Sequence, residues 1–128
     1  MEIFPPKKIK IADIKGKGRG VIATKNIKKG EIIEFCPVIF ISEQEVSFFE
    51  KKKTILKFYY LQQPEIKKVC VMLGYASLYN HDKNPNAEID FDETAPKDYV
   101  YFRAISVIKA GEEIVYNYYF DNDKEEFL

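Results

Sequence analysis

Two short segments hold most of the side chains able to do chemistry. The first is Gly74-Tyr75-Ala76-Ser77-Leu78-Tyr79-Asn80-His81, running on to Asn84-Pro85-Asn86-Ala87. The second is Gly111-Glu112-Glu113-Ile114-Val115-Tyr116-Asn117-Tyr118. His81 is the chain's single histidine, and a neutral imidazole both donates and accepts a hydrogen bond. Asn80 carries an amide that either binds a ligand or caps its own backbone. Asn84-Pro85-Asn86 has the composition of a turn. Tyr116 and Tyr118 share a face if their segment is extended, and Tyr119 and Phe120 follow at once. Grouped rings of this kind can surround an alkylammonium by cation–π attraction, and their hydroxyls can orient an amine. Core and rim packing also takes tyrosines readily, and this chain has 9 of them, so spacing leaves both readings standing.

Other catalytic patterns are missing. Ser77 and His81 have no third member that would make a hydrolytic triad, and there is no paired-acid or phosphate-loop signature. Lys15-Gly16-Lys17-Gly18-Arg19-Gly20 is glycine-rich. A dinucleotide loop would run into a helix, however, and β-branched Val21 and Ile22 predict a strand. The run is either a flexible hairpin or a glycine edge along which a cofactor lies close to the backbone.

Stepping outward, strands must position these groups. Residues 8–14 alternate weakly and predict a first strand; Val21-Ile22-Ala23 predicts a second. Ile27-Lys28-Lys29-Gly30-Glu31-Ile32 is a turn into a strand at 32–35, and Ile108-Lys109-Ala110-Gly111-Glu112-Glu113-Ile114 is a near copy. Pro37 interrupts that strand, and 38–41 continue it at an edge or bend. Ser42 and Glu45 form a capping-box pattern that opens a helix near Glu43, with Val46 and Phe49 on one side. Lys51-Lys52-Lys53 reads as a solvated face. Ile66, Val69, Cys70 and Leu73 recur at helical spacing and predict a short buried helix ending at Gly74. Residues 42–73 are therefore expected to be a mainly helical insert. Alternation returns at 88–91 and 99–104 across a polar turn, with a further short strand at 106–108.

The 128 residues, 46% hydrophobic and 15% aromatic, suit one domain with a real core. Twenty basic and 20 acidic residues leave a formal charge of +0, so no direct nucleic-acid binding is expected. Cys36 and Cys70 lie in apolar runs and are expected as buried thiols. No apolar signal segment opens the chain, and no zinc-ligand spacing is present. No run approaches membrane-spanning length. The expectation is a soluble intracellular protein without metal, cytoplasmic in a prokaryote, with a nuclear location open in a eukaryote or virus.

In combination the motifs resemble the SET-domain family of protein lysine methyltransferases. Gly18-Arg19-Gly20-Val21 with Ile22-Ala23 and the Gly30-Glu31 turn is the first match. Asn80-His81 with Pro85-Asn86-Ala87 looks like the family's Asn-His motif, and Gly111-Glu112-Glu113-Ile114 with Tyr116-Asn117-Tyr118 like its closing Gly-Glu-Glu-Leu and Tyr-Asp-Tyr pattern. Order and separation agree over nearly the whole chain, and its size is similar to that of the minimal stand-alone members of bacteria and viruses. Asn117 departs from the commoner aspartate. The flanking cysteine-rich zinc modules of larger members are absent.

The resemblance implies a mostly β, β-clip-like fold of small curved sheets with a C-terminal pseudoknot. The whole of 1–128 would be one such domain, with 42–73 as its variable helical insert. It implies S-adenosylmethionine as cofactor and the ε-amine of a protein or peptide lysine as acceptor. Lys17, Gly18 and Arg19 would meet the cofactor mainly through backbone, and Asn80 and His81 would contact its amino-acid or adenine portions. Tyr118 matches the catalytic tyrosine. Tyr116 matches the position that tunes how many methyls are added, with monomethylation the expected main product. Tyr75 and Phe120 are further candidates for the lysine channel. Residues 119–128, or the second copy in a homodimer, would cover it. A catalytically inactive SET-fold interaction module is the alternative.

Overall fold

Alternation of side chains dictates most of the sheet structure in the computed structural model, which describes residues 4–63, 68–90 and 99–118. Strand β1 (Ile9–Ile14) turns back on β2 (Gly18–Ala23) as an antiparallel pair. A five-stranded antiparallel sheet has the order β4-β5-β3-β8-β7, with β3 at Ile32–Ile41, β4 at Tyr60–Gln63, β5 at Lys68–Met72, β7 at Ala87–Asp90 and β8 at Tyr99–Ala104. Strand β6 (Asn80–His81) pairs in parallel with β9 (Val115–Tyr116). In β8 the period of two is plain: Val100, Phe102 and Ala104 are buried while Tyr99, Tyr101 and Arg103 are half-buried.

Pro37 does not interrupt its strand. Residues Ile32 to Pro37 pair with β8 and Val38 to Ile41 pair with β5 on the other side, so proline falls where the partner changes. Its missing N–H is harmless there, and its carbonyl accepts from Leu73 N at 2.8 Å.

The insert is only partly helical. The capping box at Ser42 and Glu45 forms as expected and opens α1 (Glu43–Lys52), on which Val46 and Phe49 are half-buried. One 3-10 turn follows at Ile55–Phe58. The helix expected over 66–73 is instead strand β5, from Lys68, in the middle of a three-strand patch; 64–67 lie outside the described residues. Cys70 pairs with Phe40 on one side and Leu61 on the other. Its apolar run is short and valine-rich, and such a run fits a strand covered on both edges as well as a helical face. The strand expected at 106–108 is reduced to one bridge, Ile108 to Ile27.

The two Gly-Glu turns are built alike. Gly30 has φ 87° and Gly111 φ 92°, the left-handed region that glycine enters without strain. In each turn the glutamate N–H donates back to a lysine carbonyl at 3.0 Å, Glu31 to Lys28 and Glu112 to Lys109. Ile27 and Ile108 exchange both backbone hydrogen bonds, at 2.7 and 2.9 Å, and both are buried. The core continues through Val21, Tyr79, Phe102 and Ile114. Cys36 and Cys70 are buried free thiols, and burial, with the neighbouring Glu34 charge, pushes Cys36 up to about 12.

Candidate active site

The loop from Asn80 to Asn86 curls around β9 and makes the pseudoknot. Asn80 and His81 flank Val115 and Tyr116 in parallel register, and Asp82 N donates to Tyr116 O at 3.1 Å. On the other side Asn86 acts as a surrogate strand. Its Oδ1 accepts from Val115 N at 2.9 Å and its Nδ2 donates to Glu113 O at 2.7 Å. Its own N–H donates to Val115 O at 3.2 Å. Asn84 N caps onto Asp82 Oδ1 at 2.8 Å, which tightens the turn. The backbone of 113–116 is thus held from both sides by one loop.

That clasp delivers the tyrosines. Tyr118 N donates to His81 Nδ1 at 3.0 Å, so the imidazole proton sits on Nε2 in this arrangement. The Tyr118 hydroxyl donates to the Tyr79 carbonyl. Tyr116 is buried at 6% exposure while Tyr118 is 37% exposed, and their ring centroids are 4.8 Å apart. Tyr116 also meets Phe102 edge-on at 5.1 Å, and Tyr79 meets Phe102 at 4.9 Å. Burial, first of all, holds the Tyr116 phenol protonated, well above its ordinary range. The result is a buried neutral hydroxyl beneath a half-exposed ring.

A second cluster lies at the other end of Asn80. The Asn80 amide nitrogen donates to Arg19 O at 3.1 Å and to Glu113 Oε2 at 2.6 Å. Lys17 Nζ pairs with Glu113 Oε1 at 2.9 Å. Gly20 gives this cluster its room: a Cβ would meet Asn80 Nδ2 at 2.7 Å, Glu113 Oε2 at 2.8 Å and Ile14 Cγ1 at 2.6 Å, so these side chains would have to shift. With both amide hydrogens engaged, Asn80 presents Oδ1, an acceptor. An acceptor amide, a carboxylate and the Lys17 ammonium form a set of polar groups that fits an amino-acid zwitterion.

Lys17, Gly18, Arg19, Asn80 and His81 are therefore brought together, as are Tyr116 and Tyr118, and β6 links the two groups. The Tyr75 ring packs on the core cluster that includes Tyr79 and Tyr116, and its N–H donates to Glu34 Oε2 at 2.9 Å. Phe120, with the expected cover 119–128, lies outside the described residues. Sequence reading missed Glu113 and the clasping role of Asn86. Both residues lay inside the matched motifs, Glu113 in the Gly-Glu-Glu turn and Asn86 in the Pro85-Asn86-Ala87 segment, but neither was given a role of its own. Among the described residues no group of three or more His, Cys, Asp or Glu side chains could hold a metal ion.

The SET-domain family model matches residues 18–119, a span that contains Tyr116, Tyr118 and all of the second cluster but Lys17. The chain belongs to the SET-domain family of protein lysine methyltransferases. Among similar proteins, the H3 lysine-37 specific histone-lysine N-methyltransferase of Schizosaccharomyces pombe is 29% identical over 110 residues, 86% of this chain and 72% of the relative. N-lysine methyltransferase KMT5A-A of Danio rerio is 30% identical over 115 residues, covering 82% of this chain. This chain spans only 33% of the Danio rerio protein's length. A solved structure of a candidate histone methyltransferase from Plasmodium falciparum superposes with a TM-score of 0.70 at 32% identity, over 92% of this chain and 98% of that one. SET-domain methyltransferases generally use S-adenosylmethionine, and the mostly β fold of small curled sheets is the SET fold. No described helix is long and apolar enough to cross a membrane.

Proposed function

We propose that residues 1–128 act as one SET domain that methylates the ε-amine of a protein lysine with S-adenosylmethionine, stopping mainly at monomethyllysine. The observation that carries this reading is the Tyr116–Tyr118 pair, one phenol buried and one half-exposed, clasped to Asn80 and His81 by a single loop. Lys17, Arg19, Asn80 and Glu113 would hold the cofactor's amino-acid end, with Gly18 giving backbone approach. The bound sulfonium supplies an electrophilic methyl group.

The chain's own residues do the rest by placement. The Tyr118 hydroxyl donates to the Tyr79 carbonyl, which fixes its orientation, and a phenol oxygen held in this way would accept from an amine N–H or a polarised C–H. A lysine amine has an ordinary pKa of about 10.4, and an aromatic surround that excludes water lowers it toward the neutral nucleophile. Its proton leaves to water, because no described group is placed as a strong base. The buried Tyr116 hydroxyl occupies the space into which a methylated amine would have to rotate, which limits the product to one methyl. Tyr119 to Leu128, or a second copy of the chain, would close the lysine side, and an intracellular site of action follows from the substrate class.

Product analysis by mass spectrometry on a lysine peptide tests this. Tyr118→Phe should lower kcat by on the order of a hundredfold while leaving S-adenosylhomocysteine affinity nearly unchanged, the mark of an interaction made in the transition state. Tyr116→Phe should yield dimethyl- and trimethyllysine. Trimethyllysine as the main wild-type product, or an undiminished rate in Tyr118→Phe, would refute the assignment.

A further inference from the structure

One buried acid takes no part in the steps above. Glu34, on β3, is 4% exposed. Its Oε1 accepts from the Tyr79 hydroxyl at 2.8 Å and its Oε2 from Tyr75 N at 2.9 Å. Gly74 presses against it, since a Cβ there would lie 2.5 Å from Oε2. One carboxyl therefore ties both ends of the 3-10 turn Tyr75–Leu78 to the central strand. Burying a carboxyl is unfavourable unless its bonds are made, and an apolar side chain would satisfy a purely packing role at such a position.

What the turn delivers is the Tyr79 carbonyl. Tyr79 is 1% exposed, its phenol is fixed on Glu34, and its carbonyl receives the Tyr118 hydroxyl. A shift of the Tyr79 ring therefore moves the group that aims Tyr118. We infer that Glu34 is a positioning residue for methyl transfer: through Tyr79 and Tyr75 it fixes the carbonyl that directs the Tyr118 hydroxyl. Glu34 touches neither the Asn80–Glu113 cluster nor Tyr118 in any described contact, so its influence reaches the reaction through Tyr79. This inference rests on the proposed methyl transfer.

The test uses the full chain and a lysine peptide under single-turnover conditions. Wild-type turnover that Tyr118→Phe strongly slows secures the underlying function, and a wild type with no turnover would overturn that function rather than this link. Tyr79→Phe and Glu34→Gln should each lower the methyl-transfer rate by on the order of tenfold or more, since small misplacements at reacting atoms have large kinetic effects. S-adenosylhomocysteine affinity and peptide KM should stay within about twofold, because neither reports the transition state. In a Tyr118→Phe background, Tyr79→Phe should slow the reaction little further, because the link acts through the hydroxyl already removed. An equal fold-loss in both backgrounds, or an unchanged rate in Tyr79→Phe alone, overturns the inference. Tyr79→Phe deletes one hydroxyl only, so it decides the matter by itself should Glu34→Gln fail to fold.

Discussion

The halves of the molecule that contain the two Gly-Glu turns use one backbone plan for two purposes. In the first, Gly30 N donates to Ala104 O and Ala104 N donates to Glu31 O, at 2.8 and 2.9 Å. In the second, Gly111 N donates to Ala23 O and Ala23 N to Glu112 O, both at 2.8 Å. Each turn thus docks on the residue that ends the strand leading into the other. The side chains then diverge. Where the first half sets Ile32 against Arg103, the second sets Glu113 against Ile22. Where Tyr101 fills space against the Phe35 ring at 4.6 Å, the corresponding Gly20 leaves room for Asn80 and Glu113. The Asn80–Glu113 cluster arises from emptying one position and charging another on a backbone that elsewhere builds a core sheet.

The most damaging way to break that difference is to refill the emptied position. Gly20→Ala places a Cβ within 2.8 Å of both Asn80 Nδ2 and Glu113 Oε2, and within 2.6 Å of Ile14. Glu113→Ile instead rewrites the second turn as the first, removing the partner of Lys17 and one acceptor of Asn80. Losing a charged hydrogen-bond acceptor is worth about 1.5–3 kcal/mol, or roughly 10- to 100-fold in affinity. Both variants should bind S-adenosylhomocysteine at least tenfold more weakly by calorimetry, Gly20→Ala the more so. Wild-type affinity in Glu113→Ile would mean that the cluster is structural and not a ligand site.

How far this was legible depended on range. The twin turns, the capping box at Ser42 and the alternation of β8 are written in neighbouring residues, and each was readable. The ordered triplet of motifs pointed to the family because it summed three weak local signals. What escaped depends on contacts distant in sequence. Strand β5 lies beside β3 and β4 by pairings that no local period records. Glu34 reaches Tyr79 across 45 positions and Asn86 reaches Glu113 across 27, so a buried acid looked like a strand residue and a clasp like a turn.

A milder substitution sharpens the comparison. Gly30→Ala and Gly111→Ala meet the same strain, because both φ values lie near 90° and neither added Cβ has a described atom within 4 Å. Holding an alanine in that left-handed region costs about 1–2 kcal/mol, so both variants should show a similar fall in Tm. Only Gly111→Ala should also weaken S-adenosylhomocysteine binding, because its turn leads directly into Glu113. Equal effects on ligand binding would show that the two turns are functionally interchangeable.

The smallest effect concerns two acids of the first half. Glu31 sits at the turn, and a hydrogen bond from Lys8, an ion pair of 2.8 Å, holds its carboxyl below the ordinary 4.5 against a smaller opposing push from burial. Glu34, where the second half has Val115, is raised above 4.5 by burial, with the bonds from Tyr79 and the Tyr75 and Ala76 backbone pulling the other way. The signs of linkage are opposite. An acid lowered on folding releases its proton more readily in the native state, so Glu31 stabilises above 4.5 and loses that contribution as pH falls through its folded value. An acid raised on folding binds its proton more tightly in the native state. The Glu34 contribution is therefore greatest below 4.5 and is lost as pH rises from there through its folded value. Glu31 is part-exposed and screened, so its share is small. Urea unfolding across this range should show Glu31→Gln removing a positive slope of stability against pH below 4.5, and Glu34→Gln removing a negative slope above it. Slope changes of the same sign in the two variants would show that Glu34 is not the buried, proton-retaining acid that the geometry around Tyr79 describes.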